Sequence, residues 1–398
     1  MFSGNLIKHI KMCKKINIIV KEYTDIFRKE KNMKVIIAAA GTAGHINPGI
    51  SIANKIMQEE PSSEIIFIGT NRGLEKDLVS RAGYKLETID AYGLTLSNIT
   101  KIFKILKGFR EAKKIIKDFK PDIVIGTGGY ICGAVITQAH KLHIPTMLHE
   151  SNAFPGKAVK MLAKSTDTIL VAFEDAKERI NGAKKIVVTG TPTKIKSLNL
   201  SQDEKNRKIK EIGLSEEKPI LLVFGGSQGA KAINDAILKL INDKKIKDYQ
   251  MIWAPGPKQY EIIKEELMKK GTDIDNIPQV KIYSYIYNME EMMNIADLII
   301  CRSGAMTVTE VAKVGKVAIF VPLPGVSQNH QEYNAKVLEK RGAAKIILNK
   351  DLETIDLNQY IEELILNKSL LNEMENKSKD VSLNDVEDKI YKEIKELL

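Results

Sequence analysis

Cysteine is scarce in this 398-residue sequence: Cys13, Cys132 and Cys301 are the only ones, and no two form a close pair. That scarcity argues for a reducing compartment and against a disulfide framework or a zinc site. Long apolar runs are missing too, and nothing approaches the roughly 20 residues that a helix needs to cross a bilayer. A single D-x-D occurs, Asp273-Ile-Asp275, in a polar connection that reads as a turn rather than a metal site. His140 and His143 stand at helical spacing without a third ligand, which suits helix-end surface residues.

What is present is ordinary globular material, 43% hydrophobic and 28% charged. The length favours two domains. The 61 Lys and Arg against 50 Asp and Glu leave a net charge of +11. Such a surplus suits either a solvated basic surface or contact with a polyanion: nucleic acid, anionic lipid or a phosphorylated ligand. Residues 1–32 are Lys-rich, and Lys11, Lys14, Lys15 and Asn17 break their apolar stretch, so a cleavable secretion signal is not expected. They read as an extension or a misassigned start, with a surface-binding helix as the alternative.

From Lys34 onward short apolar runs alternate with helical spacing. Residues 35–40, 64–69, 122–126 and 145–149 carry apolar side chains without clean alternation, as in strands covered on both faces. Helices are expected over 48–60, 74–82, 100–118 and 131–143. The pattern restarts with strands at 219–224, 250–254, 297–301 and 316–321. The spacing predicts an α/β chain of two doubly wound domains. A first unit over 33–190, a hinge and linker over 191–218, a second unit over 219–370 and a C-terminal helix over 371–398 follow from it. That last helix is expected to pack back across both halves. The crevice between the carboxyl ends of two such sheets is where ligands bind.

Three turns carry the chemistry. Ala40-Gly-Thr-Ala-Gly-His-Ile-Asn-Pro-Gly49 follows the first strand, with small residues for close backbone approach and Pro48 expected in the first turn of the next helix. Helix N–H groups there favour an anion. This turn lacks both G-x-G-x-x-G and G-x-x-x-x-G-K-[ST], which weakens an NAD or ATP reading. Phe224-Gly-Gly-Ser-Gln-Gly-Ala230 is a plausible diphosphate cradle in the matching position of the second half. In Cys301-Arg-Ser-Gly-Ala-Met-Thr-Val-Thr-Glu310 the carboxylate of Glu310 can either accept ribose hydroxyls or stabilise a helix end.

These turns resemble the MurG-type N-acetylglucosamine transferases. The resemblance extends through Gly69-Thr-Asn-Arg-Gly-Leu-Glu-Lys-Asp-Leu78, Gly126-Thr-Gly-Gly-Tyr130, Leu148-His-Glu-Ser-Asn152, Arg302-Ser-Gly-Ala305 and His330-Gln331, in the family's order from residue 34 to about 345. It implies the GT-B fold and transfer from UDP-N-acetylglucosamine to lipid I (undecaprenyl-pyrophosphoryl-N-acetylmuramoyl-pentapeptide). By motif, Thr42, Ala43 and Gly44 would line the donor site. Asn152 would touch the transferred sugar and Ser227 the diphosphate. Ala305, Met306, Thr307, Val308 and Thr309 would hold phosphates and Glu310 the ribose, Ile286 would pair with uracil, and Gln331 would read sugar hydroxyls. His45 would act as base or phosphate contact, with Glu150 the alternative base. Lys194 stands where the family has an arginine, keeping the charge but losing the bidentate fork. Ala40 and Ala43 replace family glycines.

The implied reaction is an inverting displacement with no obligatory cofactor or metal. The implied place is the cytoplasmic face of the bacterial membrane, held peripherally on the anionic inner leaflet, with no nucleic-acid partner. Ile99, Ile102, Phe103, Leu106 and Phe109 near one helical face, interleaved with Lys101, Lys104, Lys107 and Arg110, suit either a membrane surface or a sheet-packing helix. The rival readings are another enzyme with the same donor (an epimerase or a glycolipid glycosyltransferase), a nicotinamide oxidoreductase and a non-catalytic nucleotide-sugar sensor.

Overall fold

The computed structural model describes residues 32–92, 102–226, 229–277 and 279–398. The expected N-terminal extension up to residue 31, Ile99, Lys101 and Ser227 lie outside the described residues.

The apolar runs become strands of two parallel sheets. The first holds β1 (Lys34–Ala39), β2 (Glu64–Gly69), β3 (Lys85–Thr88), β4 (Ile123–Gly128), β5 (Thr146–Glu150), β6 (Thr168–Val171) and β7 (Ile186–Val188) in the order β3-β2-β1-β4-β5-β6-β7. The second holds β8 (Ile220–Phe224), β9 (Gln250–Ala254), β10 (Val280–Ile282), β11 (Leu298–Cys301), β12 (Val317–Phe320) and β13 (Ala344–Ile346) in the order β10-β9-β8-β11-β12-β13. Each sheet is buried on both faces. Along β1, Ile36 and Ala38 enter one core cluster while Val35, Ile37 and Ala39 enter another. Along β8, Leu222 and Phe224 divide from Leu221 and Val223 in the same way. Strand order reverses between β1 and β4 and again between β8 and β11, so loops diverge there and leave a crevice at the carboxyl ends.

Several local expectations change. The helix after β1 spans Ala43–Glu59, so it starts before the expected residue 48 and Pro48 sits inside it rather than in its first turn. The proline ring removes the N–H that would otherwise bond the Gly44 carbonyl four residues back. Within the polar linker, Gln202–Glu211 is a helix, started by a capping box in which Ser201 and Glu204 satisfy each other's backbone N–H groups. Asp273 does close a turn: its carboxylate accepts the Asp275 N–H at 3.1 Å and the Asn276 amide at 2.6 Å.

The amphipathic helix is Ile102–Phe119, and its faces divide differently from the expected stripe. Ile105, Ala112 and Ile116 are buried and Phe109 packs beside them, whereas Phe103 is 83% exposed and Leu106 49%. The spacing of four, three and four residues in the buried set is the true helical period, and it places Phe103 and Leu106 off that face. Among the described residues no helix is long and apolar enough to cross a membrane.

The C-terminal region forms three helices, Leu357–Ile365, Lys368–Val381 and Val386–Leu397. The last returns to the first half, where Val386, Ile390 and Ile394 join the core beneath the helix Ala43–Glu59. Ion pairs Lys55–Asp388 and Lys395–Glu60, both 2.6 Å, and a 2.8 Å bond from the Tyr391 hydroxyl to Glu60 flank that seam.

Candidate active site

In the second half, the β8 turn is possible only with glycine. Gly226 and Gly229 have φ of +85° and +74°, and a Cβ on Gly229 would fall 2.1 Å from the Pro255 carbonyl oxygen. Opposite, Gly304 caps the helix Ala305–Val314. The N–H groups of Ala305, Met306 and Thr307 precede the first intrahelical bond, which Val308 makes to the Gly304 carbonyl at 3.0 Å. These two ends border a cleft of about 830 Å³, lined among others by Gly226, Ala230, Arg302, Thr307 and Gln331. Glycine backbone and a helix N-terminus together make an anion site.

Two side chains that line the cleft, Arg302 and Gln331, are fixed by backbone partners. Arg302 donates to the carbonyls of Val321 and Pro322 at 3.0 and 3.2 Å, securing the loop after β12. In that loop the Leu323 N–H donates to Gln331 Oε1 at 2.9 Å, which orients the Gln331 amide. Glu310 accepts a 3.3 Å bond from the hydroxyl of Thr193, and burial pushes its carboxyl up to about 7. Val308 is buried in the core, and the Thr309 hydroxyl is enclosed beside the hinge residues Thr191 and Thr193, so neither side chain lines the cleft. Ile286 is buried between the exposed Tyr285 and Tyr287. Lys194, next to Thr193, is exposed.

In the first half, His45 lies in the first turn of the helix Ala43–Glu59, with Thr42 as the exposed N-cap and Ala43 and Gly44 half-buried between them. Its Nδ1 is 3.2 Å from the Ala40 carbonyl oxygen, and Thr127 Oγ1 donates to the His45 carbonyl at 2.7 Å. A carbonyl can only accept, so in the neutral ring Nδ1 carries the proton and Nε2 the lone pair. The ring lies against Gly128, where a Cβ would stand 2.4 Å from His45 Cδ2.

A second carboxylate holds this loop. Glu75 is fully buried and accepts from the Thr70 N–H (2.9 Å), the Thr70 hydroxyl (2.6 Å) and the Gly41 N–H (3.1 Å). These donors hold its carboxyl below the usual range against the opposing cost of burial.

Glu150, at the end of β5, has both oxygens occupied. Oε1 accepts the Asn152 N–H and amide at 2.8 and 2.9 Å, and Oε2 accepts the Gly156 N–H at 2.7 Å. A carboxylate so engaged orients its loop. Beside it, buried His149 bonds the Gly190 carbonyl through Nε2 at 2.9 Å, and burial pushes its pKa down to about 4.

The sequence reading gave no role to Glu75, Thr193, Arg302 or Asn334. Glu75 stands in a quoted motif with its partner Thr70, but its bond to Gly41 and those of Asn334 to Asn152 and Ala153 join residues remote in sequence and leave no local signal.

Two parallel doubly wound halves, with a glycine-and-helix anion site in one and a histidine loop in the other, define a glycosyltransferase of the GT-B fold. The models of the glycosyltransferase family 28 N-terminal and C-terminal domains match residues 35–171 and 220–390. The chain belongs to this family, among the UDP-N-acetylglucosamine--N-acetylmuramyl-(pentapeptide) pyrophosphoryl-undecaprenol N-acetylglucosamine transferases of the MurG type. It is 42% identical to the enzyme of that name from Caldanaerobacter subterraneus subsp. tengcongensis, over 91% of this chain and 99% of that one. It is 39% identical to the one from Clostridioides difficile, over 91% and 88%. The crystal structure of Acinetobacter baumannii MurG superposes with a TM-score of 0.74 at 28% identity, covering 92% of this chain and all of that one. The calicheamicin glycosyltransferase CalG4 shares the fold, with a TM-score of 0.64 at 13% identity over 92% and 98% of the two chains.

Proposed function

We propose that this chain transfers N-acetylglucosamine from UDP-N-acetylglucosamine to the C4 hydroxyl of the muramoyl sugar of lipid I, forming lipid II in peptidoglycan synthesis. The observation that carries the reading is that each half carries a furnished turn, a glycine-and-helix anion site in one and the His45 loop in the other. A non-catalytic sensor of the nucleotide sugar would not need the His45 loop. The acceptor-side unit comprises residues 33–190 with the returning helix Val386–Leu397, and the donor unit begins after the linker at 219.

In this scheme the acceptor oxygen attacks C1 of the donor sugar and the bond from C1 to the phosphate oxygen breaks. The electron pair leaves with uridine diphosphate. Nε2 of His45 has the free lone pair to take the hydroxyl proton. Negative charge grows on the leaving diphosphate, where the N–H groups of Ala305 to Thr307 and the Ser227 turn stabilise it. Ionised Glu310 accepts the ribose hydroxyls, the Ile286 backbone meets uracil, and Gln331 and Asn152 bind the transferred sugar. Lys194 stands beside the diphosphate as a point charge. Thr42, Ala43 and Gly44, at the start of the helix Ala43–Glu59, line the donor site from the first half, and the N–H groups of that helix end favour a diphosphate. Glu150, with both oxygens occupied, orients Asn152 instead of acting as base. No cofactor or metal is required by these steps.

The lipid acceptor places the chain peripherally at the cytoplasmic face of the membrane. Exposed Phe103 and Leu106, with Lys104, Lys107 and Arg110 on the same helix, supply apolar insertion and attraction to the anionic leaflet. No nucleic-acid partner is invoked for the basic charge.

The test is transfer of radiolabelled N-acetylglucosamine from its uridine-diphosphate donor to a lipid I analogue, with release of uridine diphosphate followed in parallel. Labelled product that requires the acceptor supports the reading. Release without acceptor would point to an epimerase or hydrolase instead.

A further inference from the structure

Helix His330–Glu339 belongs to the second half but reaches into the first. Asn334 is fully buried at that junction. Its Oδ1 accepts the Ala153 N–H at 2.9 Å, and its Nδ2 donates to Asn152 Oδ1 at 3.1 Å and to the Ser303 carbonyl at 3.2 Å. Ala153 N–H can only donate and the Ser303 carbonyl can only accept, so chemistry dictates which way this amide points. Both of its N–H donors are used. One buried amide thus joins the loop after β5 to the loop after β11.

Asn152 is held from its other side by Glu150. A carboxylate can only accept, so the Asn152 Nδ2 must face Glu150 and its Oδ1 must face Asn334. One N–H of the Asn152 amide remains for a ligand. Gln331 stands three residues before Asn334, close to one turn along the same helix. The residue that reads sugar hydroxyls and the residue that fixes Asn152 therefore move as one rigid piece. Around them, the Phe154 and Tyr333 rings stack across the junction at 4.6 Å, and Lys340 pairs with Asp175 at 3.2 Å.

We propose that Asn334 is a cross-domain positioning residue, which turns the remaining N–H of Asn152 toward the transferred sugar and does so only when the two halves are together. This rests on the assignment of Asn152 to the sugar made above. Asn334 itself touches no reacting atom; it acts through Asn152. The consequence is that the sugar subsite is assembled from both halves, and donor bound to the second half alone lacks one of its sugar contacts.

Steady-state kinetics on Asn152→Ala, Asn334→Ala, Asn334→Asp and the double variant N152A/N334A test this, with uridine diphosphate binding measured on each as a check of folding. Loss of a buried donor predicts that N334A and N334D each lower kcat by about 10- to 100-fold. Uridine diphosphate affinity should stay within about 3-fold, because nucleotide contacts lie elsewhere. The carboxylate introduced by N334D would keep the bond from Ala153 but cannot donate to Asn152, so equal losses in the two variants identify the donated bond as the one that matters. The double variant should be no slower than N152A alone. Two impairments that multiply would overturn the proposal, as would an N334A enzyme that turns over normally while N152A does not. Normal turnover in N152A would instead remove Asn152 from the sugar site, and this inference with it.

Discussion

The hydroxyl of Thr193, in the segment between the two sheets, donates a 3.3 Å hydrogen bond to the carboxylate of Glu310 on the helix that opens toward the donor cleft. This bond favours the ionised form, yet burial outweighs it and pushes the carboxyl up to about 7. Donor binding through ribose hydroxyls requires the ionised form. The Michaelis constant for UDP-N-acetylglucosamine should therefore rise as pH falls below about 7, while E310Q raises it at every pH and flattens the profile. Stability shows the opposite slope. Because the folded value lies above the ordinary 4.5, the buried charge destabilises the fold progressively as pH rises from 4.5 through about 7. Thermal melts of E310Q should gain most over wild type at pH 8 and little at pH 4.5.

His45 and Gly128 should behave as a pair. If the imidazole takes the acceptor proton, His45→Ala should lower kcat by about 10²- to 10⁴-fold with little change in the donor's Michaelis constant. Gly128→Ala places a methyl 2.4 Å from the ring and should reproduce most of that loss. Unchanged turnover in H45A would remove the histidine from the mechanism.

Glu75 gives a test of the loop beneath His45. Glu75→Gln must turn an amide NH₂ toward N–H or O–H donors, and should cost about 1–3 kcal/mol of stability in urea titrations. The carboxyl is held below 4.5, so its contribution is present at neutral pH and is lost on acidification through the lowered value. The stability difference between E75Q and wild type should therefore narrow in acid. Uridine diphosphate binding, on the other half, should remain near wild type.

The exposed apolar pair on the helix Ile102–Phe119 should matter only at a membrane. The double substitution Phe103→Glu and Leu106→Glu is expected to leave the melting temperature within about 2 °C, as for ordinary surface changes. It should abolish sedimentation with anionic vesicles and slow turnover on a long-chain acceptor. A short-chain soluble acceptor should be used as well as by wild type; equal losses on both acceptors would exclude a membrane role for this face.

The doubly wound halves were legible because parallel strands covered on both faces announce themselves as short apolar runs, and glycine turns mark their carboxyl ends. β3, β7 and β13 escaped notice because they are edge strands of three or four residues whose side chains are mostly half-buried or exposed, and β6 went unread with them. The helix Gln202–Glu211 was hidden in a Lys-rich stretch despite its Ser201 and Glu204 signature, since its polar residues leave only Ile209 buried. Tertiary structure alone decided which polar groups meet. Glu75 bonds Gly41 across 34 residues, Thr193 meets Glu310 across 117, and Asn152 meets Asn334 across 182. Local sequence specifies period and turn, which are properties of neighbouring residues. These pairings exist only once the crossovers bring distant strand ends together and burial obliges each polar group to find its partner there.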